Sequence, residues 1–89
     1  MMDAMKSWTL TIYSRMDETG EPSTITVTED GTVTTTGDGD RWVEPGIVYD
    51  RNGPIPPAEG LRYLVALGTE IGRGTTFYCT LEGPGFTGW

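Results

Sequence analysis

The chain has no histidine and a single cysteine among its 89 residues. Without imidazole it lacks the commonest general base and metal ligand. Ser-His and Cys-His nucleophilic systems are excluded with it. One thiol, Cys79, forms neither an intrachain disulfide nor a cysteine-based zinc site. Small secreted domains usually carry disulfides, so a reducing, cytoplasmic setting is expected. The start, MMDAMKSWTL, holds no apolar run of signal-peptide length. No window approaches the ~18 apolar residues of a membrane span. The one asparagine, Asn52, precedes Gly-Pro and is no glycosylation acceptor.

Basic residues are also scarce, 6 against 13 acidic, for a net charge of −7. Phosphate backbones need clustered lysine and arginine, and anionic membranes repel such a chain. Direct nucleic-acid binding and membrane binding are therefore not expected. A basic protein partner is permitted, since carboxylates steer encounter, and the same charge serves solubility. Lysine occurs once against five arginines; read as codon usage, that ratio points to a high-GC bacterial or phage source. No glycine-rich phosphate loop is present.

What remains suits one small globular domain, residues 1–89, with 1–6 and 83–89 as loose termini. Apolar residues make up 36% of the chain, and 13 glycines bring it to an ordinary globular value. Trp8, Leu10 and Ile12 alternate with threonine and tyrosine over Ser7–Arg15, the period of a half-buried strand. Ile25 and Val27 alternate with threonines over Ser23–Glu29. Asp30-Gly31 then predicts a two-residue hairpin turn, returning as a third strand, Thr32–Thr36. "GIVYD", 46–50, reads as a short strand that breaks an otherwise implausibly long loop. "PPAEGLRYLVALG", 56–68, is the one helix, with Pro57 at its start and Gly68 as its cap. Its core stripe reads Ala58, Leu61, Leu64 and Val65, widened by Leu67; Ala66 falls on the solvated side and Gly60 inside the helix. Phe77, Cys79 and Leu81 define the last strand, Thr75–Glu82.

The expected fold is α+β: a single antiparallel sheet of four to five strands with one helix packed on one face, in the order β-β-β-β-α-β. Its core comprises Trp8, Leu10, Ile12, Ile25, Val27, Val33, Leu61, Leu64, Val65, Phe77, Cys79 and Leu81.

Several groups are candidate sites. In "DGDRWVEPGIVYD" only Asp38 and Asp40 match a calcium loop, too few oxygens for a hard cation; Gly37 to Asp40 reads instead as turn chemistry. Two acids spaced as on a strand, about 7 Å apart, could mimic phosphates, but Arg41 and Arg51 interrupt that surface. Trp42, Tyr49 and Tyr63 are not clearly core by periodicity, while Tyr13 and Tyr78 point to the polar faces of their strands. Trp, Tyr and Arg are the residue types of protein hot spots, although they also serve as partial cover for a sheet. Cys79 reads as a small buried hydrophobe. The 15 threonines read as good strand formers on a wet face rather than an ice or sugar platform. Phe86 and Trp89, on a Gly-Pro-Gly tether, are expected to pack back. Little concavity is expected, and no catalytic residue, cofactor or metal.

The function expected is a small acidic, non-enzymatic protein-binding module, a modulator or inhibitor of a protein partner, in the class of phage or mobile-element inhibitors. The expected contacts are Asp38, Asp40, Arg41, Trp42, Tyr49 and Arg51. The alternatives are an accessory or self-associating ligand-binding domain, with a homodimer allowed, and more weakly a nucleic-acid mimic or a carboxylate-based hydrolase.

Overall fold

The structure is a computed structural model that describes residues 5–17 and 19–86. Its elements are β1 (Ser7–Ser14), β2 (Ser23–Thr28), β3 (Val33–Thr36), α1 (Gly39–Val43), β4 (Val48–Asp50), β5 (Gly53–Ile55), a 3-10 turn (Pro57–Glu59), α2 (Leu61–Gly72) and β6 (Phe77–Glu82). The architecture is α+β. A four-stranded antiparallel sheet in the order β3-β2-β1-β6 carries one main helix on one face. "GIVYD" does not join that sheet. Its strand, β4, pairs with β5 in a separate two-stranded ribbon, Val48 opposite Ile55 and Asp50 opposite Gly53. Pro54 points outward there, where a missing N–H is tolerated.

Alternation sorts the main sheet cleanly. A central inward row runs Thr35, Ile25, Leu10, Leu81 across all four strands. The neighbouring outward rows are threonine-rich: Thr34, Thr26, Thr9, then Glu82; and Thr36, Thr24, Thr11, Thr80. Hydroxyls bond across strands within these rows, 3.0 Å between Thr9 and Thr26 and 2.6 Å between Thr24 and Thr36. Tyr13 and Tyr78 stack at one end of this outer face, their centroids 5.0 Å apart.

The β2–β3 hairpin departs from its expected turn. Thr28 N–H donates to Thr32 C=O and Gly31 N–H to Thr28 C=O, so the loop is Glu29-Asp30-Gly31, three residues rather than two. A two-residue primed turn would need positive φ at Asp30. Only glycines take positive φ among the described residues, and Gly31 does so at +88°. Asp30 closes the loop by accepting bonds from the Thr28 hydroxyl and the Thr32 N–H, which hold its carboxyl below the usual range.

Helix α2 buries Tyr63, Leu64, Leu67, Gly68 and Ile71 against the sheet. The expected stripe was rotated and too short. Ala58 is exposed in the 3-10 turn, whereas Tyr63 is fully buried and Ala66 packs partly against the core. Gly68 is not a cap: the helix runs on to Gly72 because Ile71 continues the inward face. Burying an isoleucine is worth ~1.5–3 kcal/mol, against ~1 kcal/mol for an internal glycine. Gly60 is the joint before the helix, at φ +61°. A Cβ there would stand 2.7 Å from Trp8 Cζ3, so the sharp entry and the close packing of Trp8 both require glycine.

The start of the tail contacts the body of the domain. Trp8 Nε1–H donates to Pro84 C=O at 2.7 Å, and Phe86 packs against the core. Lys6 C=O accepts from Glu29 N–H at 2.9 Å. Trp89 lies outside the described residues.

Candidate functional site

Helix α1 forms within the segment read as a plain turn. Gly37 supplies a left-handed φ of +60°, and Asp38 follows with its N–H bonded to Ser23 Oγ at 3.0 Å. Gly39 is buried, and a side chain there would run into the Thr24 carbonyl oxygen. Close approach to β2 thus selects glycine, and the chain turns into GDRWV. Asp38 and Asp40 flank the start of a helix, not positions on a strand, so the spacing on which phosphate mimicry was argued does not arise.

Trp42 of α1 is half-buried. Its ring meets Phe77 edge-on at 5.2 Å, and the Arg41 guanidinium lies 4.7 Å from its centroid. This tryptophan therefore serves as cover for one end of the core. Around it Asp17 and Glu21, from the β1–β2 connection, and Asp38, from the β3–α1 turn, line a shallow depression of about 240 Å³ together with Arg41.

Tyr49 and Arg51 lie elsewhere. The structure does not gather the six expected contacts into one surface: Asp38, Arg41 and Trp42 line the acidic depression, while Tyr49 and Arg51 line a groove that shares no residue with it. Asp40 is exposed and lines neither.

The groove holds about 540 Å³, concavity that the sequence did not predict. It exists because the β4–β5 ribbon anchors its inner side through Val48 and Ile55, so its tip stands beside α2 as a second wall. The tip is a tight turn in which Asn52 N–H donates to Asp50 Oδ1 at 2.7 Å. Tyr49, on the outward side of β4, is 70% exposed. The helix supplies the floor through Val65, Ala66 and Thr69, whose hydroxyl donates back to Val65 C=O at 2.7 Å.

Arginines frame this floor. Arg62 reaches Asp50 at 3.5 Å and Glu59 at 3.2 Å, and Arg73 reaches Glu70 at 3.1 Å. These pairs are open to solvent, worth ~0–1 kcal/mol each, and readily exchanged. Arg51 has no ion pair among the described residues. Arg62 and Arg73 were not among the expected contacts. Arg62 was legible on the solvated helix face, whereas Arg73 lay beyond the expected helix end at Gly68, and nothing in the sequence showed that a hairpin would stand opposite them.

Cys79 is half-buried on β6, and burial pushes its thiol up to about 11, which keeps it protonated and unreactive at neutral pH. No group of three or more acidic or cysteine side chains is placed to hold a metal among the described residues. No helix among them is long and apolar enough to cross a membrane. The chain matches no family model, no curated protein and no solved structure.

Proposed function

We propose that the chain is a non-catalytic module that binds a partner protein through the groove between α2 and the β4–β5 ribbon. One observation carries this reading: Tyr49, 70% exposed, and Arg51, free of ion pairs among the described residues, flank the same concave surface. Tyrosine and arginine dominate hot spots because each combines a large contact area with directed polar groups. A tyrosine left this open contributes little to its own fold, so its contact area is free for a partner. The missing histidine supports the non-catalytic part, since no side chain remains whose ordinary proton affinity lies near neutral pH.

The test is capture from a lysate of the cells that make the protein, followed by titration with the purified partner. Tyr49→Ala is expected to weaken binding at least tenfold, about 1.4 kcal/mol. Arg51→Ala is expected to weaken it less, because a rim charge is partly solvated. Full affinity in the double variant would remove the groove from the reading.

A second reading rests on a separate observation, the convergence of Asp17, Glu21 and Asp38 on the depression beside Trp42. Three carboxylates over an aromatic floor suit a lysine or arginine of a basic partner. In that case Asp38→Asn and Glu21→Gln weaken binding while Tyr49→Ala does not.

A further inference from the structure

We infer, resting on the groove reading above, that its occupant is a short extended acidic segment of the partner, with two carboxylates about five residues apart and an apolar residue between them. The argument begins with charge. Three of the chain's five arginines, Arg51, Arg62 and Arg73, line this one groove, against two carboxylates, Asp50 and Glu70. The groove's lining is thus net positive by one on a chain whose net charge is −7, with Glu59, not itself part of the lining, as a further partner of Arg62. The two other arginines lie over aromatic rings, Arg15 at 4.9 Å from the Tyr78 centroid and Arg41 over Trp42. Cationic groups are therefore concentrated where the surface is also concave.

Spacing sets the length of the occupant. Arg62, in the first turn of α2, and Arg73, its helical C-cap, are eleven positions apart, which at ~1.5 Å per residue separates their backbones by ~16 Å. An extended chain rises ~3.3 Å per residue, so ~5 residues span that distance. Between the arginines the floor is small and partly apolar, Val65, Ala66 and Thr69, which leaves depth for one aliphatic side chain. The resident partners of Arg62 and Arg73 are exposed carboxylates, with side chains 34–58% open, so incoming carboxylates replace like with like. Arg51, on the facing wall, gains a partner without losing one. Guanidinium forks also favour carboxylates through paired donors, which a basic or neutral segment cannot use.

The probe is an end-blocked hexapeptide with glutamate at its first and sixth positions, leucine at the third and serine elsewhere. It is titrated to millimolar concentration against the full chain while backbone amide resonances are followed. Saturable shifts confined to residues 49–52 and 62–73 are expected. The dissociation constant should rise at least tenfold in Arg51→Glu and in Arg73→Glu, both exposed positions whose variants should keep the remaining amide spectrum unchanged. A peptide with lysines in place of the glutamates should produce no shifts there.

The inference is overturned by an absence of saturable shifts, by equal response to the lysine peptide, or by unchanged affinity in both variants. It is overturned as well if a single-stranded oligonucleotide displaces the peptide from the same amides. If the captured partner still depends on Tyr49 while the peptide fails, only the acidic occupant is lost and the groove remains the binding surface.

Discussion

Tyr63 is the residue whose placement departs furthest from its sequence pattern. Its ring is fully buried among the aliphatic side chains of the core, and its hydroxyl is the buried side-chain polar atom that finds no partner among the described residues. An orphaned hydroxyl costs about 1–3 kcal/mol of desolvation. Removing it while keeping the ring therefore has an unusual sign. Tyr63→Phe is expected to be neutral or to stabilise by about 1 kcal/mol, read from the denaturation midpoint at pH 7. Burial also raises the phenol above its ordinary 10.0. A group raised on folding keeps its full contribution below its unfolded value, and stability falls as pH climbs through the window above 10, where the unfolded chain ionises first. As pH rises above 10.0, the wild type should lose stability faster than Tyr63→Phe, measured by chemical denaturation at a series of pH values. A variant that loses several kcal/mol at neutral pH would mean that the hydroxyl has a partner after all.

At the scale of an element, α2 shows how the same substitution can take opposite signs at the two ends of one helix. Gly60 combines φ +61° with an indole so close that an added Cβ would clash with Trp8 at 2.7 Å, so Gly60→Ala must bend the backbone or displace the indole. It should destabilise by more than about 1 kcal/mol. Gly72 sits in the last turn, with no neighbour within 4 Å of an added Cβ, so Gly72→Ala should stabilise by about 0.5–1 kcal/mol through helix propensity alone. Thermal midpoints of the two variants moving in the same direction would contradict the assigned ends of α2. The sequence showed a helix here because Leu61, Leu64, Val65 and Leu67 repeat at helical spacing. It hid the limits because glycine at 60, 68 and 72 looks alike in a string of letters, yet serves as a joint, an inward contact and a final turn. The sheet was more legible, since alternation at Leu10, Ile12, Ile25, Val27 and Leu81 fixes both strand and face. The β4–β5 ribbon was half legible: β4 carries Val48 and Tyr49, whereas "GPI" holds a glycine and a proline that local propensity assigns to a loop. Ile55 makes β5 a strand by burying completely, and that is a tertiary effect. The groove inherits the same blindness. Tyr49 and Arg51 stood out by residue type, while Arg62 and Arg73 became relevant only once the ribbon was seen beside them.

For the whole molecule, the sign of the long-range field separates the two ways in which it could meet a partner. The chain carries −7 distributed over extents of 44 × 32 × 25 Å. At ~0.01 M salt the screening length is ~30 Å, so a partner feels most of that charge; at ~0.1 M it is ~10 Å, and only the nearest groups act. An acidic segment approaching the arginine-framed groove is repelled from afar and attracted at close range. Its association rate should therefore rise between ~0.01 and ~0.1 M salt, while its dissociation rate also rises as the arginine–carboxylate contacts are screened. A basic partner bound at Asp17, Glu21 and Asp38 is attracted at every range, so its association rate should fall throughout the same interval. Stopped-flow association of the captured partner, run at the two salt concentrations, reads the sign directly. A rate that falls while binding still depends on Tyr49 would mean that the partner uses the groove for its aromatic contact and the acidic surface for its approach, which makes the partner basic overall and its groove-entering segment a local exception.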